Sequence, residues 1–271
     1  MAVKQRITEA RVARVAELLT PRDKAVLQTL ETTRVATGAQ LRRLHFTSGT
    51  SQANARQAQR RLRALTEYRL MTLLERRVGG LSGGSSQAVY GLDVTGQRLM
   101  SACGPAGGGR IRRPWTPGQL FLTHAVAVTE LLVRLTEAAR SGAGELLTFD
   151  AEPACWRRFT GPGGARLWLK PDAFVRFAAG DYEYAHFVEV DRATAAVPTI
   201  ARKLDLYRRY WQAGREQERH GVFPKVLVLV PSERRKAALV AAAARLAAEA
   251  WPLFQIARYD EAVPVLTGGR P

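Results

Sequence analysis

The chain has 271 residues, 46% hydrophobic and 8% aromatic, enough for one large domain or two ordinary ones, each burying a core. It has no apolar run of about 18 residues, so no membrane span is expected, and its charged start, MAVKQRITEARVARVAELL, lacks a signal core, which argues against export; a cytoplasmic protein is expected. Its net charge is +17, concentrated at the front: the first 113 residues hold 20 Lys and Arg against 7 Asp and Glu, the remainder 21 against 17.

Residues 20–34, TPRDKAVLQTLETTR, open with Thr20 as an N-cap and Pro21 in the first turn, and Ala25, Val26, Leu27 and Leu30 share a helical face. After a break at VATGAQ, Leu41 and Leu44 predict a short second helix. A third follows in TSQANARQAQRRLRALTEYRL, with Ala55, Ala58, Leu62 and Leu65 as its apolar stripe. Strands are expected at Leu70–Val78 and Gln87–Leu92, joined by a Gly- and Ser-rich loop. Three helices and a two-stranded ribbon are the order of a winged helix-turn-helix over residues 1–102, with the third helix in the major groove and residues 79–86 as the wing. Gln52, Asn54, Arg56, Gln57, Arg60 and Arg63 then carry the donors and acceptors for phosphates and base edges. Clustered cations favour double-stranded DNA as the partner, because neutralised phosphates release counterions. The competing reading is a solvated helix face on a protein-binding winged helix.

Residues 103–118, CGPAGGGRIRRPWTPG, read as a linker in which Arg110, Arg112 and Arg113 lie within reach of a DNA backbone. Cys103 and Cys155 show neither CxxC nor Cys/His spacing, so two unpaired thiols are expected.

The second domain, residues 119–271, opens with an amphipathic helix ending at Gly142. Strands are expected at Glu145–Glu152, Arg166–Phe177 and Tyr182–Val190, then a helix over 195–219. The strand KVLVLVP, an Ala-rich helix and a last strand near FQIARYD follow. KVLVLVP does not alternate and is expected to be buried on both faces. The order specifies an α/β (α+β) sandwich of αβββαβ type. His124 and His186, and Trp156, Trp168 and Trp211, are read as packing or hydrogen-bonding residues.

Three carboxylates interrupt these strands: Asp172 after Pro171, then Glu189 and Asp191. This pattern resembles the PD-(D/E)xK nuclease-like fold, in which acidic positions at one sheet edge hold magnesium or manganese and a lysine orients the attacking water. The sequence departs from the pattern where the final lysine belongs, at Asp191. Lys203 on the following helix, with Tyr207 one turn on, is the substitute, and Glu130 is the candidate for an additional carboxylate. The catalytic candidates are therefore Asp172, Glu189, Lys203 and Asp191, and the metal candidates Asp172, Glu189 and Glu130. An internal salt-bridge network with Arg192, Arg202 or Lys203 is the alternative.

Pro171-Asp172, the run Glu189-Val190-Asp191-Arg192 with Thr194, and Lys203 with Tyr207 resemble the replication-relaxation family of plasmids and conjugative elements, over residues 20–230. The resemblance implies a role in plasmid or mobile-element replication, DNA relaxation or transfer, with a second copy of the chain or other replication and transfer proteins as further partners. Two readings stay open: a metal-dependent nicking enzyme, and a non-catalytic DNA-binding accessory or regulator with a degenerate nuclease-like domain.

Overall fold

The structure, a computed structural model, describes residues 8–74, 88–103, 117–246 and 248–269. The expected wing, residues 79–86, and residues 104–116 of the expected linker, with Arg110, Arg112 and Arg113, lie outside the described residues. The chain divides into two compact units, Met1–Val133 and Arg134–Pro271.

The first unit is mainly helical. Helix α1 (Glu9–Glu17) precedes α2 (Pro21–Thr33), which starts as its sequence predicts: the Thr20 hydroxyl accepts from Asp23 N–H, and the Asp23 carboxylate accepts from Thr20 N–H. Asp23 is fully buried and also takes both 2.5 Å bonds of an Arg61 fork. The stretch VATGAQ, expected as a plain break, contains strand β1 (Val35–Thr37) and a second capping box between Thr37 and Gln40 that starts α3 (Gly38–His45). Helix α4 (Ser51–Glu67), β2 (Met71–Leu73), β3 (Val89–Leu92) and α5 (Val94–Cys103) complete the order, and the strands form an antiparallel sheet ordered β1-β3-β2.

The core joins Leu27, Leu30, Leu41, Leu62, Leu65, Leu70 and Met71, each leucine contributing about 1.5–3 kcal/mol by burial. The apolar stripe of α4 is shorter than expected. It starts at Ala58, whereas Ala55 is exposed, because residues 51–57 at the helix start meet solvent wholly or partly.

In the second unit, β4 (Glu145–Ala151), β7 (Ala173–Ala179) and β8 (Tyr182–Val190) run antiparallel, and β9 (Lys225–Val230) and β10 (Phe254–Arg258) continue parallel to β8, in the order β10-β9-β8-β7-β4. β9 is buried from Val226 to Val230, as its unbroken apolar run predicts. The strand expected over 166–177 is in fact two strands in different sheets. β6 (Arg166–Leu169) pairs with β5 (Arg157–Thr160) in a separate hairpin, and β7 starts after Lys170-Pro171-Asp172. Pro171 has no N–H to offer a ladder, so the chain changes sheet there.

The helix expected over 195–219 is also divided, into α7 (Val197–Gln212) and α8 (Arg215–His220), by Gly214 at φ 71°. One face of the sheet carries Phe174, Phe187 and Val226 against Tyr207 and Tyr210 of α7. Val228 and Val230 continue it against Leu204 and against Leu239 of α9 (Glu233–Ala243). A short α10 (Ala262–Leu266) ends the unit beside β8 and β10. Trp168, expected as a packing residue, meets Trp156 edge-on with ring centroids 6.3 Å apart and is 48% exposed.

Candidate functional site

Asp172 is fixed by the chain around it. Its N–H donates to Val188 O at 3.1 Å, and its carboxylate accepts Val190 N–H at 2.7 Å, tying the entry of β7 to the end of β8. The buried Cys155 thiol donates to Pro171 O at 3.0 Å. Burial, with Asp172 and Glu152 nearby, pushes this thiol up to about 12, so it stays protonated as a donor.

Glu189 projects from β8 on the face that α7 covers. Its register partner is Val228, which packs against Leu204 of α7. One turn apart on α7, Lys203 and Tyr207 meet the two oxygens of its carboxylate. The Tyr207 hydroxyl donates to Oε1 at 2.6 Å, and the Lys203 ammonium donates to Oε2. The same ammonium lies 3.9 Å from Asp172 Oδ1. Asp172, Glu189 and Lys203 therefore converge. Side-chain exposure rises from 9% at Glu189 through 14% at Asp172 to 31% at Lys203, so solvent reaches the cluster from the lysine side.

Burial pushes Glu189 up to about 7, against the pull of Lys203. For Lys203, burial opposes the charge but Glu189 and Asp172 outweigh it, leaving the ammonium above its ordinary value. Burial and Glu189 hold Tyr207 well above the usual phenol value, so it remains a hydroxyl donor.

The other sequence candidates have different partners. Just beyond β8, Asp191 is gripped by Arg235 of α9 at 2.5 and 3.2 Å and accepts Ala193 N–H at 3.0 Å. Arg235 also donates to Ala195 O at 2.7 Å, and the Tyr259 hydroxyl donates to Asp191 O. Arg235 thus clamps the loop from β8 to α7 at Asp191 and Ala195. Glu130, on α6 (Gln119–Arg140), accepts from Arg43 at 2.7 Å and from Gln40 at 3.0 Å within the first unit.

Sequence reasoning missed Arg235, Cys155 and also Glu152, whose charge acts on both Cys155 and Lys203. The available signal for Glu152 was a carboxylate ending the strand expected over Glu145–Glu152. Among the described residues, no three His, Cys, Asp or Glu side chains form a metal-holding group.

On α4, Gln52, Arg56, Gln59, Arg60 and Arg63 lie at spacings that share one exposed face. Arg63 pairs with Glu67 at 2.9 Å. Gln57 is half-buried, and both ends of the Asn54 amide bond to Gly49, at 3.0 and 2.8 Å, which fixes the preceding loop.

The family model for replication-relaxation matches residues 27–226. The chain belongs to the replication-relaxation family. No curated protein and no solved structure matches it. The family match spans the α4 face as well as Asp172, Glu189, Lys203 and Tyr207, and it ends before Arg235. Membership in replication-relaxation suggests a role in the replication or relaxation of plasmids or mobile elements, with DNA or replication-related partners. Among the described residues, no helix is long and apolar enough to cross a membrane.

Proposed function

We propose that this replication-relaxation protein binds duplex DNA through a winged-helix first unit and nicks DNA in a PD-(D/E)xK-like second unit. The observation that carries the proposal is one ammonium, Lys203, facing both Asp172 and Glu189 at a solvent-reachable end of the sheet. The order α2-β1-α3-α4-β2-β3 supports the winged helix, with α4 as the helix presented to the groove. Along the chain, the order α6-β4-β7-β8-α7-β9, with the β5–β6 hairpin inserted, supports the nuclease-like reading.

The donor set suits magnesium or manganese, which take one or two carboxylates together with waters and a substrate phosphate. Asp172 and Glu189 are the residues that would hold the ion; when bound, it supplies positive charge at the phosphoryl oxygens and an acidified water. Tyr207 fixes one Glu189 oxygen, and Cys155 and Val190 fix the approach of Asp172. Lys203 holds a proton beside both carboxylates and gives a phosphate a cationic neighbour.

A second reading, a non-catalytic DNA-binding accessory or regulator, is favoured by the same ammonium, which already balances both carboxylates. Supercoiled plasmid incubated with the full chain and magnesium or manganese separates the two. The nicking reading expects relaxed circles that disappear with Glu189→Ala while duplex binding persists. Absence of nicking together with absence of ion binding by calorimetry leaves the accessory reading.

A further inference from the structure

We propose that the β5–β6 hairpin and α8 form a second nucleic-acid site, which holds phosphates of a single strand in an arginine pocket and stacks a base on Trp168. In the hairpin, Arg158 is the register partner of Trp168 and Thr160 of Arg166, so all four side chains belong to one face. Phe159, between them, enters the core and fixes the hairpin against Tyr210, with ring centroids 5.0 Å apart. Arg158, Thr160 and Arg166 line a pocket of about 360 Å³ whose far wall is Arg215 and Arg219, one turn apart on α8.

The walls are held at a fixed separation. Glu216, between the two α8 arginines, is 1% exposed and accepts from Arg157 Nε at 2.9 Å and from the Tyr210 hydroxyl at 2.5 Å. Since Arg157 directly precedes Arg158, this buried bond ties α8 to β5.

Four guanidinium groups around one pocket repel one another unless an anion joins them. Among the described residues, Arg166 and Arg219 make no hydrogen bond or ion pair, and Arg215 has only the exposed Glu218 at 3.3 Å. Arginine forks match phosphate geometry in two-point contacts. Beside the pocket, Trp168 lies 48% exposed, with the Arg158 guanidinium 5.8 Å from its ring. An exposed indole among cations is a stacking platform, and only an unpaired base offers it a free face. Moreover, β6 leads directly into Pro171-Asp172, so a strand held here lies on the chain segment that enters the carboxylate cluster.

The test uses the full chain carrying Arg56→Ala/Arg60→Ala, to suppress binding at α4, and a fluorescein-labelled oligo-dT of about 15 nucleotides with EDTA present. Arg158→Ala/Arg166→Ala and Arg215→Ala/Arg219→Ala are exposed changes, and thermal melts check that each variant stays folded. Each pair is expected to weaken binding at least ten-fold and to flatten the log affinity against log salt slope by about 0.7 for every phosphate no longer neutralised. Trp168→Ala is expected to weaken binding roughly 5- to 100-fold, with Trp168→Phe recovering most of it. Unchanged affinity and slope in both arginine pairs overturn the site, and an unchanged Trp168→Ala overturns the stacking. Competition by inorganic phosphate or a mononucleotide as effective as unlabelled oligo-dT, at equal phosphate concentration, assigns the pocket to small anions and overturns strand binding. Equal losses on a duplex overturn the single-strand assignment.

Discussion

His186 lies within β8, 3% exposed, with Nε2 at 3.2 Å from Gln255 Oε1 and Nδ1 buried without a partner. Burial lowers its pKa, the Gln255 bond opposes this and Lys225 adds to it, bringing the imidazole down to about 4. The folded state therefore holds it neutral while the unfolded chain binds a proton below about 6.5. Stability from this group is complete above that value and is lost as pH falls towards 4, by up to about 3 kcal/mol. Urea unfolding at pH 7.5 and 4.5 should show wild type losing about 2–3 kcal/mol more than His186→Gln; equal losses would refute the assignment.

Asp191 and Arg235 make a second case at this scale. Arg235→Ala leaves a carboxylate of 3% side-chain exposure without its cation and should cost about 3–5 kcal/mol, whereas Asp191→Leu/Arg235→Met should cost less than either single change. The sequence made Asp191 a site candidate because it follows Glu189 by two positions. Its partner stands 44 positions away in a helix whose arginines all look alike, so no spacing reveals the pair. Lys203 and Tyr207 were legible because helical periodicity fixes which residues share a face.

Among the elements, α4 is the one on whose exposed face the proposed duplex binding rests. Arg56→Ala/Arg60→Ala should weaken duplex binding and reduce the salt slope by about 0.9 for each phosphate left without its cation, measured by gel shift across salt concentrations. A slope and affinity equal to wild type would remove α4 from the interface. α5 depends on the absence of a side chain: a Cβ at Gly96 would lie 2.0 Å from Leu70 O, a backbone atom that anchors the entry of β2. Gly96→Ala should therefore destabilise the first unit by roughly 1–3 kcal/mol, seen as a lower urea midpoint with an unchanged m-value.

Elements whose signals are local were the readable ones, such as the Thr20–Pro21 start and the unbroken β9 run. The hairpin was not. LWLKPDAFVRF is apolar on both sides of Pro171, and a change of sheet leaves the alternation on either side intact, so two strands read as one.

For the whole molecule, a net charge of +17 makes salt the main expected control on the proposed DNA binding. If 6–10 phosphates are neutralised, affinity should fall by about 10³–10⁵ between roughly 50 and 200 mM salt, and Glu189→Ala, which removes a single 9%-exposed carboxylate, should leave that dependence unchanged. The longer periodic runs could be read before any coordinates, because each announces its own type, whereas β1, the β5–β6 hairpin and the division between α7 and α8 could not. The network around Glu189 needed the fold, since its four side chains come from a turn, a strand and a helix.

The clamp on Asp191 also couples two positions that lie far apart in the chain. Position 191 is bound to Arg235, so Asp191→Lys would set two cations against each other in a place with 13% and 3% side-chain exposure. A change at either position alone leaves a buried, unmatched charge, so the two residues are exchangeable only together.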